Sequence, residues 1–168
     1  RSETLRKKGK DANPFIAGEA VNLLAEILHQ EYIAIQLKQP QSNINANLKK
    51  AKALMRKLDK TYTKVLSFGS PRSFEAAYNI ARSYEEFARM FVKQEIPANL
   101  SADKKFVKKK TINDQAARLY DKAVQQYKLV VENMPKIADK LGVDLNALPA
   151  PKDTIADTSK TPDELKRI

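Results

Sequence analysis

The chain has 168 residues, with 31 Lys and Arg against 20 Asp and Glu, one His, four Gly and no Cys. That length supports one domain with a hydrophobic core and excludes two large ones. The lack of Cys removes disulfides and thiolate metal sites, and leaves both a cytoplasm and an envelope space such as the bacterial periplasm open as compartments.

The net charge of +11 is unevenly placed. Residues 1–11 hold five basic and two acidic side chains, Lys49 to Lys64 hold seven basic against Asp59 alone, and Asp103 to Lys110 hold five basic against one acid. Pro71 to Glu95 balances at four and four, so the basicity belongs to particular surfaces. Charge interrupts every apolar patch, and no run nears the roughly 20 apolar residues of a membrane span. The chain therefore reads as soluble. Arg1 stands where an initiator Met would and no apolar leader follows, which fits a processed or excised chain.

Residues 1–12 lack periodicity and read as a flexible basic arm. Asn13 followed by Pro14 is a helix start: a side chain that accepts an orphan amide, then a proline where no donor is missed. From there Ile16, Ala20, Leu23, Ile27, Ala34 and Leu37 form one apolar row, with Val21, Leu24, Leu28, Tyr32 and Ile35 beside it. So wide a face predicts burial from two sides, ending at Gln39 and Pro40.

A polar connection, Gln41 to Asn47, leads to the most regular pattern in the chain. Ile44, Leu48, Ala51, Met55, Leu58, Tyr62, Val65 and Gly69 alternate steps of four and three, a narrow seam of heptad type. The opposite face carries Lys49, Lys50, Lys52, Arg56, Lys57, Lys60 and Lys64. Gly69 predicts the stop, and Ser70 with Pro71 the capped start of a third helix running to about Glu95. Its stripe is Phe74, Ala77, Ala81, Tyr84, Ala88 and Phe91.

Ala102 to Lys110 fits either a first turn or a separate lysine-studded loop, and Thr111-Ile-Asn-Asp114 resembles a capping box, which favours a break before the fourth helix. That helix carries Ile112, Ala116, Leu119, Ala123, Tyr127, Val130 and Met134 on one face and is expected to end at Pro135. A short helical piece, Lys136 to Leu141, ends at Gly142. Residues 143–168 read as an irregular tail in which Thr161-Pro-Asp-Glu164-Leu begins one terminal turn.

The fold class is therefore all-α: a helical domain over 13–142 made of two long antiparallel hairpins, 13–69 and 70–135, plus the short piece. Alanines among rings on both arms of the second hairpin let helices approach closely. Asn13 and Ser70 are equivalent starts of a unit duplicated once. Ile80-Ala81 with Tyr84, and then Ala123, Tyr127, Val130 and Pro135, resemble the first-helix and second-helix patterns of tetratricopeptide repeats. The first pair offers only Tyr62, Val65 and Pro71. A repeat of that family has about 34 residues, whereas helices of about 25 residues here give arms of about 38 Å. An elongated tetratricopeptide-like α-solenoid segment and a plain four-helix bundle both fit the pattern. The resemblance implies a scaffold whose concave surface, lined by first helices, holds a protein or peptide partner, and it implies no catalysis. The residues of the first helices off the core stripes, Tyr32, Gln36, Tyr78 and Arg82, are the candidate contacts.

Little in the sequence points to chemistry. His29 is the only histidine, and Glu26, three residues before it, and Glu31, two after, do not together make a ligand set at i+3 or i+4 with it. Glu85 and Glu86 lie three and four residues from Arg82 and Arg89 and read as surface ion pairs. No Gly-rich phosphate loop, nucleophile elbow or metal-spaced cluster is present. No enzyme, cofactor or metal is expected. The alternative reading is a polyanion-binding module, for nucleic acid or an anionic membrane surface, using Lys49, Lys50, Lys57, Lys104, Lys108 and Lys109.

Overall fold

The structure, a computed structural model, describes residues 13–142 and 144. The basic arm and the tail with its terminal turn lie outside the described residues. Among the described residues the fold is all-α, with four helices: α1 (Pro14–Ile33), α2 (Gln41–Ser67), α3 (Arg72–Val92) and α4 (Ala102–Leu141). Each packs on the next. α1 also touches α3, while α1 and α4 make no comparable contact, so the helices form an open row instead of a closed ring.

The α1 start is as its sequence reads, with Asn13 Oδ1 accepting from Phe15 N at 2.9 Å. Its end is not. The helix stops at Ile33 because the next residues serve tertiary structure: Ile35 and Leu37 are buried, and Leu37 O accepts from Glu95 N at 2.9 Å. The two-sided burial expected for α1 is also corrected. The buried face is Ala17, Gly18, Asn22, Ala25, Leu28, His29 and Tyr32, while Ile16, Leu23, Leu24 and Ile27 are exposed.

The heptad seam of α2 is the core. Ile44, Ala51, Leu58, Tyr62 and Val65 are buried, with Leu48 and Met55 packed beside them. The polar Gln41 to Asn47 segment, expected as a connection, is the first two turns of this helix. Ile44 anchors it in the core, and Asn47 Nδ2 reaches back to Gln36 O at 2.8 Å. Gly69 closes α2 at φ 58°, in the left-handed region where a Cβ is disfavoured.

α3 begins at Arg72 without a side-chain cap. Ser70 was expected to supply one. Its hydroxyl is instead buried without a hydrogen-bond partner near Gly18, and Ser73 N bonds to Ser70 O at 2.8 Å. α3 is buried on two sides: Ala81, Ala88 and Phe91 of the expected stripe, and Ser73, Ala76, Ser83, Phe87 and Met90 beside it. Such a helix sits in the middle of a row.

α4 runs unbroken for 40 residues, about 60 Å. The break expected before Thr111 is absent because the Thr111 hydroxyl donates to Val107 O, one turn back inside the helix, instead of capping a new one. The Ser101 side chain caps the true start, accepting from Lys104 N. Nor does Pro135 end the helix. It and Val131, whose carbonyl loses the missing amide, are both exposed, so water can serve that oxygen, and Gly142 at φ 64° is the stop. Ala116 and Ala123 are buried as Ala81 and Ala88 are, which lets α3 and α4 lie close along their shared length.

Candidate functional site

α1 and α3 run parallel, and four pairings fix their register. Gly18 faces Ser70, Glu19 Oε1 accepts from Arg72 Nε at 2.8 Å, Tyr32 Oη donates to Ser83 O at 2.8 Å, and His29 Nε2 lies 2.6 Å from Glu86 Oε2. Small and polar residues dominate this junction, whereas the faces that meet α2 are apolar. A groove between the two first helices of the hairpins is the result.

Below the groove a polar chain ties three helices together. Tyr62 Oη of α2 lies 3.5 Å from His29 Nδ1, with the two rings edge to face, and Glu86 joins His29 through one oxygen and Arg82 Nε through the other at 2.9 Å. Both ring nitrogens of His29 are thus engaged. Burial, then the charges of Glu75, Glu26 and Glu86, push the Tyr62 phenol up to about 12. Burial first and Glu86 second push Tyr32 higher still. Both hydroxyls stay protonated through the neutral range, as donors.

At the C-terminal end of the groove the Ala34–Gln39 connection is pinned to the end of α3. Glu95 Oε2 accepts from Gln39 N at 2.9 Å, beside the Leu37–Glu95 backbone bond. This leaves a pocket of about 480 Å³ lined by Ile33, Ile35, Gln36, Leu37, Lys38, Glu86, Arg89, Met90, Lys93 and Glu95. Its apolar floor is Ile35, Leu37 and Met90, all largely buried. A second hollow of about 350 Å³ shares Ile35, Gln36 and Lys38 and continues toward Asn43, Asn47 and Lys50 on α2. The two acids of the first pocket are bonded within the protein, Glu86 to His29 and Arg82 and Glu95 to Gln39. Arg89 is paired with Glu85. Lys38 and Lys93 are exposed and have no partner among the described residues.

The four expected contact residues separate. Gln36 is exposed and stands between the two hollows. Arg82 is exposed and anchored to Glu86, one turn along α3 from the pocket. Tyr32 is 0% exposed and belongs to the core, where its ring is tilted against Phe87, so it is no groove contact. Tyr78 turns the other way. Its ring packs on Tyr127 of α4 at 5.5 Å, and Tyr127 Oη donates to Glu85 at 2.9 Å. Burial, then that bond, push the Tyr127 phenol up.

Glu86 is not the surface residue its spacing suggests, since only 14% of its side chain is exposed. Its bond to His29 spans 57 residues, which no local pattern reveals. Lys38, Met90 and Lys93 also had no sequence signal. Of the lysines in the polyanion reading, Lys49, Lys50, Lys57, Lys104 and Lys109 are exposed, and Lys108 is partly buried with its Nζ donating to Gln41 at 2.6 Å.

Among the described residues no group of three His, Asp or Glu side chains could hold a metal, and no helix is long and apolar enough to cross a membrane. No protein-family model matches the chain, and neither a curated protein nor a solved structure matches it.

Proposed function

We propose that the chain is a non-enzymatic protein-interaction scaffold of tetratricopeptide-like type, acting as an adaptor in a larger assembly, and that the groove between α1 and α3 holds its partner. The observation that carries this reading is the pocket at the groove's end. Its floor is apolar, its acids are already bonded, and the two cations left free at its rim are Lys38 and Lys93. Such a rim favours a segment that places one apolar side chain on Ile35, Leu37 and Met90 and keeps a carboxylate next to it. The open row supports an array over a closed bundle, because hairpins stacked in sequence place each helix on the next and leave the first and last apart.

The test is a pull-down followed by affinity measurement with Lys38→Glu/Lys93→Glu. Both positions are exposed, so the fold is spared. Loss of about tenfold in affinity is expected, from two rim ion pairs turned repulsive. Partners retained at full strength would rule the pocket out.

A second reading, polyanion binding, is favoured by one contact. The Lys108–Gln41 bond brings the lysine segment of α4 to the start of the lysine-rich α2. Titration with duplex, single strand and anionic vesicles at two salt concentrations separates it, since phosphate neutralisation gives an affinity that falls steeply with salt.

A further inference from the structure

The first turns of α4 turn their apolar side outward. Ile112 is buried and Lys105 and Lys108 are half-buried toward the protein, while Phe106 and Val107 are 72% and 62% exposed. A lone exposed apolar side chain needs no explanation. Here two adjacent ones are set among cations. At about 100° per residue, Asp103, Phe106, Val107 and Lys110 share the outward side of the helix, with Lys104 and Lys109 on its flanks. Lys104, Lys109 and Lys110 are exposed. Asp103 is the one acid, placed in the first turn where the helix's own amides offset its charge.

The cationic surface continues onto α2. Lys108 Nζ donates to Gln41 Oε1 at 2.6 Å, and Gln41 Nε2 donates to Asn45 Oδ1 at 3.0 Å. Lys49, exposed, follows one turn further along that row.

We propose that this end of α4 docks on an anionic lipid membrane, with Phe106 and Val107 entering the interfacial layer and Lys104, Lys109 and Lys110 meeting lipid phosphates. It narrows the polyanion reading above and rests on it. The patch asks for negative charge and an apolar environment together. A membrane surface offers both, a charged plane lying over hydrocarbon. Lysine suits that boundary, because its flexible apolar stem lets the ammonium stay at the headgroups while the ring beside it goes deeper. Nucleic acid fits less well. Its apolar surface is the faces of its bases, which are held by stacked rings and arginine, and the segment from Ala102 to Lys110 has no Arg and carries an aliphatic Val107 next to its single ring. No helix among the described residues is long and apolar enough to cross the membrane, so the contact lies on the surface.

The test is co-sedimentation of the full 168-residue chain with vesicles of phosphatidylcholine alone and of an equimolar mixture with phosphatidylserine, at two salt concentrations, beside titration with duplex and single-stranded DNA. Binding to the mixed vesicles that weakens as salt rises, and none to the neutral ones, is expected. Each lysine near an anionic surface adds about fivefold, so Lys109→Gln/Lys110→Gln should lower vesicle affinity about 25-fold. Phe106→Ala/Val107→Ala leaves the charge unchanged and should lower it about tenfold through lost apolar burial. All four positions are exposed, so the helical spectrum should not change. The chain has no Trp, so the Phe106→Trp variant carries a unique fluorophore. Its emission should shift to the blue on mixed vesicles and be quenched by lipid brominated in its acyl chains. Vesicle binding that survives Phe106→Ala/Val107→Ala, equal binding to neutral vesicles, or emission that stays water-like would each overturn the proposal. Lysine-dependent binding to DNA without binding to vesicles would overturn it and leave the polyanion reading standing. No binding to vesicles or DNA at low salt would overturn both.

Discussion

Replacing Gly18 by Ala sets two effects against each other where α1 meets the start of α3. In a helix interior Ala is favoured over Gly by about 1 kcal/mol. Against this, a Cβ at Gly18 would stand 2.5 Å from Ser70 Oγ and 2.9 Å from Ser70 Cβ. The hydroxyl can rotate away, but the Cβ moves only with its backbone. That backbone is held between Gly69, in the left-handed region, and Pro71 with its fixed φ. Overpacking of this kind costs about 1–3 kcal/mol, so the clash wins by about 1 kcal/mol and Tm falls by about 2–4 °C in a domain of this size. Urea and thermal unfolding followed by circular dichroism would measure it. Ser70→Gly opens the space, and in that background Gly18→Ala should stabilise, giving a coupling of about 1–3 kcal/mol in the double-mutant cycle. If Gly18→Ala stabilises the otherwise unchanged chain by the full helix-propensity gain, the close α1–α3 approach is refuted.

Alkaline pH should weaken the fold through Tyr62. Its phenol is raised from 10.0 to about 12 in the folded chain, so the folded state holds its proton where the unfolded chain loses it. That stability is complete below pH 10 and is lost as pH climbs through the folded value, up to about 3 kcal/mol. Urea midpoints from about pH 9 to 11.5 should fall, and fall less steeply in Tyr62→Phe; equal slopes would contradict the assignment. Glu86→Ala removes the shared partner of His29 and Arg82 and should cost about 1–3 kcal/mol, read by chemical denaturation, since the carboxylate is largely but not fully buried. Pro135→Ala restores the missing amide in α4 and should slow hydrogen exchange over the last turns, by up to about 3 kcal/mol in local opening energy. Unchanged protection there would mean that the helix does not run through Pro135.

Periodicity made the seam of α2 legible, since Ile44 to Val65 has one apolar seam and one cationic face and admits a single orientation, but it did not reveal that the polar Gln41 to Asn47 is already helix. α3 and α4 were legible in the alanines that lie between them. α1 was not, because both of its faces carry aliphatic residues. What selects the buried one is the fit of Gly18 to Ser70 and of His29 to Glu86, a property of the facing segment. Local grammar also misplaced ends. Thr111 and Pro135 resemble helix boundaries, yet the Thr111 hydroxyl bonds back to Val107 inside the helix, and solvent tolerates the second. Gln36 and Arg82, chosen for their place off the core stripes, are both exposed, Gln36 lining the pocket and Arg82 lying one turn from it. The pocket was not legible, because it is made by a connection folding onto the end of α3 through the bonds of Leu37 and Gln39 to Glu95, each 56 or more positions away with no periodic signature.

The scaffold account is tested most directly by placing a photo-activated cross-linking residue at Gln36, beside the pocket, and in a second variant at Asp59 on the lysine face of α2. Illumination in the native assembly should join the partner to the Gln36 variant, through a segment carrying an apolar residue next to Asp or Glu, and leave the Asp59 variant free. Adducts from Asp59 alone would place the partner on the lysine face and contradict the groove.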